Sequence, residues 1–211
     1  MKTTSARNNI LKKIKQALNT PVPVPFGDVP SKQEFFLKDD NDPGVQFAEN
    51  FARLQGRFSF CSNDKELTAQ LQTLFAARQW NKIFLGETGL KTMLAQHNLP
   101  LSVETDLADC DAAITSCECL IARTGSIVLS SVQSGRTISV YAPVHICVAY
   151  TNQLVYDIKD GLDLLKKKYP GGLPSSITFA SGPSRTADIE KTLVTGVHGP
   201  KEVFCFLVQS S

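Results

Sequence analysis

The side chains best suited to chemistry crowd into "SGPSRTADIEKTLVTGVHGP", residues 181–200, between two apolar runs, "SITFA" and "EVFCFLV". Gly182 lets backbone approach closely, and Pro183 fixes a turn. Ser184 and Thr186 offer hydroxyls, and Arg185 presents a planar fork matched to a carboxylate or phosphate. The pattern predicts a strand, a turn and then a helix from about Arg185. The unpaired amides of such a helix favour an anion. The same residues also serve structure alone. Asp188 and Glu190 complement a helix dipole without any ligand, and Ser184 or Thr186 serves equally as its N-cap. Neither the Walker pattern nor G-x-G-x-x-G is present, so nucleotide binding in those forms is not supported.

Further polar groups fall near strand ends. Thr124, Gly125 and Ser126 in "ARTGSIVLSS" and Arg136 in "SGRTISVYAP" can project into the same crevice, with turn formation as the structural alternative. Two histidines are candidate proton carriers. His198 stands between the turn residues Gly196 and Gly199-Pro200, and His145 lies in the apolar run "APVHICVAY". A structural role, as a core histidine and a turn histidine, is the simpler reading of both. No Ser-His-Asp order or paired-carboxylate motif follows from the spacing.

These groups need a frame to hold them. From residue 57 the sequence alternates short β-rich runs ("RFSFC", "KIFLG", "LSVET") with helical segments ("SNDKELTAQLQTLFAARQ", "GLKTMLAQHN"). That rhythm predicts βαβ units and a mainly parallel sheet. The middle, "LIARTGSIVLSS", "RTISVYAPVHICVAY" and "QLVYDI", has only short turns between strand-like runs, so an antiparallel or mixed section is expected there. The predicted fold is α/β, a three-layer sandwich on a mainly parallel mixed sheet. In front of it, residues 1–20 read as a basic amphipathic helix with Ile10, Ile14, Ala17 and Leu18 on one stripe. Residues 21–54 read as a proline-rich linker, "PVPVPFGDVPSKQ", and a second helix, "QFAENFARLQG". The α/β domain is expected over 55–211.

A net charge of +2 is too small to argue for nucleic acid or an anionic membrane as partner. No run approaches the roughly 20 apolar residues needed to span a bilayer. The first 20 residues lack the apolar core of a secretion signal. A soluble, cytoplasmic protein is the expectation. The six cysteines form no C-x-x-C pair, and several sit in apolar runs. They read as reduced, buried thiols, with no metal site in this chain.

Taken together, "ARTGSIVLSS", the following "GR", "APVHICVA" and "SGPSRTADIEKTLVTGVHGPKEV" resemble the LUD-domain family of lactate-utilisation proteins over roughly residues 55–210. The resemblance is tightest over 181–200. It matches Gly182, Pro183, Ser184, Arg185, Thr186, Asp188 and Glu190, with Gly196, His198, Gly199 and Pro200. It implies a fold similar to the ribose-phosphate isomerase and CoA-transferase superfamily. It also implies a part in oxidising L-lactate to pyruvate beside iron–sulfur partner subunits, which would carry the clusters that this chain lacks. Many members place an acid just before the Thr-Gly turn, where this chain has Arg123. Three roles stay open: a carboxylate-binding component of a lactate-oxidising complex, an independent enzyme on a sugar phosphate or CoA ester, and an assembly module docking through its first helix.

Overall fold

The computed structural model describes residues 3–18, 41–101, 106–133, 135, 137–187, 193–196 and 198–210. The chain divides into two compact units, residues 1–39 and 40–211. In the first, α1 spans Thr3–Leu18, as its 3.6-residue apolar spacing predicts, and carries Lys15 in its last turn. Of the linker expected to begin at residue 21, residues 21–40 lie outside the described residues.

The second unit opens with α2 (Pro43–Arg53), set by Pro43 in its first turn and by Asp42, whose carboxylate accepts from Gly44 N at 2.8 Å and Val45 N at 3.1 Å. Strand β1 (Arg57–Cys61) leads to α3 (Asp64–Arg78). Asn63 caps α3 by accepting from Glu66 N, and Glu66 reaches back to accept from Ser62 N. Then follow β2 (Ile83–Leu85), α4 (Thr88–Gln96), β3 (Ala112–Thr115), β4 (Cys119–Ile121), β5 (Ser126–Ser130), α5 (Ile138–Tyr141) and β6 (Val144–Tyr150). The chain closes with β7 (Leu154–Val155), α6 (Ile158–Lys168), β8 (Ile177–Ala180), β9 (Arg185–Ala187), β10 (Leu193–Thr195) and β11 (Glu202–Val208). Most of "LSVET" falls outside the described residues.

The α/β class and the mainly parallel sheet are as the alternation of strands and helices predicts. Five strands in the order β1-β11-β6-β3-β2 are all parallel. The antiparallel section is not part of that sheet. It forms a second one, β7-β4-β5-β8, in which β5 runs antiparallel to both neighbours. The two faces of the parallel sheet explain the stacking. One face, through Ile114, Ile146, Phe204 and Phe206, packs on Leu67, Leu71 and Phe75 of α3 and Leu90 and Leu94 of α4. The other, through Cys147, Ala149, Val203, Cys205 and Leu207, meets Leu120, Ile127 and Leu129 of the second sheet. The outer face of that sheet (Cys119, Ile121, Val128) is covered by Leu165 of α6. There is thus one layer more than the three expected, because β4 and β5 are apolar on both faces and need cover twice.

Helix α2 belongs to this core rather than to the linker. Phe47 and Phe51 are fully buried with ring centroids 5.4 Å apart in the inter-sheet core. Truncating either to Ala should cost about 3–5 kcal/mol. Two glycines receive the helix. Gly125 (φ +60°) in the β4–β5 turn lies so close that an added Cβ would sit 2.5 Å from Phe51 N, and Gly182 (φ +91°) would place one 2.3 Å from the Leu54 carbonyl oxygen.

Gly125→Ala should therefore combine a left-handed backbone with a clash against main chain that cannot rotate away. A loss of roughly 2–3 kcal/mol in urea unfolding is expected. Gly135→Ala, with no atom within 4 Å of the added Cβ but φ +76°, isolates the backbone part of that cost.

Candidate functional site

The described residues of the stretch 181–200 do not form the expected helix from Arg185. Arg185–Ala187 (β9) pairs antiparallel with Leu193–Thr195 (β10), with Arg185 opposite Thr195 and Thr186 opposite Val194. β-Branched Thr186, Val194 and Thr195 favour this pairing over a helix. No helix amino terminus therefore exists at Ser184 or Arg185 to attract an anion. Asp188 and Glu190, expected in that helix, lie outside the described residues, as does Arg136.

What holds these residues is structural. Ser184 N donates to Pro200 O (2.9 Å), Gly196 N to Ser184 O (3.0 Å), and Lys201 N to Pro143 O (2.8 Å). Arg185 is exposed and donates from Nη2 to Leu54 O at 3.0 Å. Leu54 is the last residue of the α2 turn, so the guanidinium sits at the negative end of a helix. Gly182 packs on the same carbonyl. The structure does join the two predicted segments: Thr124 Oγ1, Ser126 Oγ and Ser181 Oγ form a line at 2.8 and 2.7 Å. Asn50 of α2 braces the turn by donating to Ala122 O and Arg123 O. The group gathers at the carboxyl end of α2. Lys201, which follows Gly199-Pro200, bonds Pro143 just before β6, so this end of the hairpin borders the amino ends of β6 and β11 rather than their carboxyl ends.

Arg123 pairs with Asp157, Nη2–Oδ1 2.6 Å and Nε–Oδ1 3.0 Å. Burial disfavours the Asp157 charge, but the bonds from Arg123 and Ile158 N outweigh it and hold the carboxyl below its ordinary range. Asp157 also caps α6, so Arg123 fastens β4 to that helix. His198 is exposed on the turn before β11. His145 is completely enclosed on β6, with Nε2 2.8 Å from Thr115 Oγ1 and Nδ1 without a hydrogen-bond partner. Burial lowers its pKa to about 4, so the ring is neutral. The enclosed ring is a core histidine in this geometry, the simpler of its two sequence readings.

The more promising crevice lies elsewhere, and topology locates it. Ligands of parallel sheets bind beyond the carboxyl ends of strands where neighbouring connections leave in opposite directions. β2 and β3 are neighbours: β2 runs into α4 on the helical face, and β3 into β4 on the other. At that divergence Glu87 accepts from Ser116 N at 2.9 Å (Oε1) and from Ser116 Oγ (Oε2). Gln133, from the turn after β5, donates from Nε2 to Ser116 Oγ and to Cys117 O. Its Oε1 is buried without a partner. Gln153 donates to the same Cys117 carbonyl and accepts from Tyr150 N. Tyr150 in turn donates to Asp64; burial first, then Asp64, raises its pKa to about 12. A polar line thus edges the carboxyl ends of β2, β3, β6 and β1.

Beside it Glu118 is buried and accepts from Tyr169 (2.7 Å), Lys168 (2.7 Å) and Ser130. Burial raises its pKa, but bonds from Lys168, Ser130 and Tyr169 prevail and keep it below the usual carboxylate range. Glu87, Ser116, Glu118 and Gln133 were not singled out from the sequence. A glycine-flanked acid after a strand, "LGETG", and an acid inside the apolar "TSCECLIA" are the signals that mark two of them. Among the described residues no three His, Cys, Asp or Glu side chains converge to hold a metal. All six cysteines are buried and unbridged, and burial raises Cys61 to about 11 and Cys119 to about 12.

The LUD domain family matches residues 45–208, and the chain belongs to it. An uncharacterized protein of Neisseria meningitidis is 27% identical over 94% of this chain and 91% of its own length. Lactate utilization protein C of Deinococcus radiodurans is 36% identical over 52% of this chain and 51% of its own, and that of Bacillus subtilis 35% over 46% and 42%. The chain thus matches about half the length of these two relatives. The crystal structure of a DUF162 family protein from Deinococcus radiodurans superposes with a TM-score of 0.58 over 79% of this chain and 96% of that one, at 21% identity. It shares the fold. No helix among the described residues is long and apolar enough to cross a membrane.

The depressed His145 pKa has a definite consequence. Below about pH 6.5 the unfolded chain takes up a proton that the native ring refuses until about pH 4. This contribution to stability is complete above pH 6.5 and is lost as the pH falls towards 4, by about 3 kcal/mol. Urea unfolding across that window should show the decline, and His145→Gln should flatten its share of it.

Proposed function

We propose that this chain is a component of an L-lactate-to-pyruvate oxidation system, acting with iron–sulfur partner subunits and either binding a small carboxylate or organising the complex. The observation that carries the reading is the LUD domain over nearly all of the second unit, together with relatives whose name is lactate utilization protein C. Since those two relatives are matched over about half their length, the activity and partners belong to the proposal. A working place in the cytoplasm is part of it. Iron–sulfur clusters would be carried by the partners. An independent activity on a sugar phosphate or CoA ester is the alternative, and it predicts turnover by the purified chain alone.

Anaerobic purification of the tagged chain from its host tests the reading. The expected result is co-elution of brown subunits whose iron–sulfur absorbance bleaches on adding L-lactate. A colourless, solitary protein counts against it. In the same assembly Arg185→Ala separates two roles for the guanidinium. Loss of the lactate response with assembly intact makes it a substrate contact, as its residue type first suggested. An unchanged response confines it to holding the end of α2.

A further inference from the structure

Strand β1 ends the parallel sheet, and among the described residues no strand pairs with its outer edge. Gln209 N donates to Cys61 O at 2.8 Å. A parallel ladder engages alternate residues of a strand. Arg57, Ser59 and Cys61 therefore bond β11, while Phe58 and Phe60 turn their N–H and C=O groups outward. Among the described residues the Phe60 carbonyl alone finds a donor there, Gln70 Nε2 at 3.3 Å. Sheet edges are commonly guarded by proline, charge or a bulge. The middle of β1, Phe58-Ser59-Phe60, has no proline and no charge, and Phe60 is 47% exposed. A cavity flanks the strand on each face. One of about 750 Å³ lies on the α2 side, among Val45, Phe58, Phe60, Leu154 and Leu207. The other, about 650 Å³, lies on the α3 side among Arg57, Ser59, Glu66, Leu74 and Phe206. A strand added at an edge points alternate side chains to the two faces, and here each face has room for them.

We propose that β1 pairs antiparallel with β1 of a second copy of this chain, about a two-fold axis at Ser59, joining two five-stranded sheets into one. An interface about a two-fold axis must be complementary to itself, and Phe-Ser-Phe reads the same in both directions from Ser59. Phe58 of each copy then lies opposite Phe60 of the other. Both residues direct their backbone groups outward, so each pair exchanges both of its N–H···O=C bonds, and Gln70 yields the Phe60 carbonyl. The aromatic side chains meet across the strands on the α2 face. Charge fits as well. Arg57, held by Glu202 of its own chain at 2.9 Å, falls opposite Cys61 of the second copy. Glu66 of that copy stands one residue further on, accepting from Ser62 N. A cation at one end of the strand thus meets an anion at the other, twice over by symmetry. The two cavities are lined by about 20 residues, against the roughly 20–30 that a standard interface takes from each side.

Sedimentation velocity of the purified full-length chain, from low to high micromolar concentration, tests this. The expected result is a shift from one chain mass to two. Phe60→Pro removes an outward donor that the fold itself does not use, and it should raise the dimer dissociation constant at least about tenfold. Phe60→Lys keeps the backbone donor and guards the edge with charge; it should weaken the dimer likewise, the circular dichroism of both variants serving as the folding control. Ser59→Cys sets two thiols face to face on the axis, at the close Cα spacing that a disulfide accepts. Mild oxidation should crosslink that variant and leave the wild type, whose cysteines are all buried, uncrosslinked. A monomer at every concentration, a dimer that both Phe60 variants leave intact, or a Ser59→Cys dimer that stays uncrosslinked overturns the proposal. Slowed exchange of the Phe58 and Phe60 amides only when a different protein is bound would give the edge to a partner's strand and overturn the pairing of two copies.

Discussion

Stacking of the parallel sheet on a second sheet is the constraint on which the rest depends. The shared core of Cys147, Cys205, Leu207, Leu120, Ile127, Phe47 and Phe51 closes only if small side chains let the two surfaces approach. Cysteine at 147 and 205, paired directly across β6 and β11, supplies that smallness; at Cys147 the bond with Cys117 favours the thiolate, but the bond with Cys205 and burial outweigh it and hold the thiol well above its ordinary pKa. These cysteines are packing residues placed where an isoleucine would hold the layers apart.

Helix α2 acts as the wedge of that interface, and several residues that look functional in the sequence are explained by it. Gly125 and Gly182 are glycines because α2 backbone lies against them. Asn50 satisfies the carbonyls of the β4–β5 turn, and Arg185 the carbonyl at the end of α2. The tightest part of the family resemblance thus coincides with the seat of this helix.

The same stacking creates the crevice. Because β3 must feed the second sheet while β2 feeds α4, their connections part, and Glu87 and Ser116 face each other across the opening. Gln133 arrives from the second sheet to complete the group. Three residues separated by 29 and 17 positions in the chain therefore meet only because two layers are stacked.

The sequence by itself determined the α/β class, the parallel strands and the family, because period and ordered motifs are local properties. It offered a core role for His145 for the same reason, from the apolar run around it. It misjudged 185–187 and 193–195, which pair with each other as strands where a helix was expected. It also could not tell a second sheet from an antiparallel section of the first, since both have the same local pattern. Only the tertiary structure decided which loops diverge, which end of the sheet the hairpin borders and which polar atoms are enclosed without a partner. Those depend on pairings between residues far apart in the chain, which no local window contains.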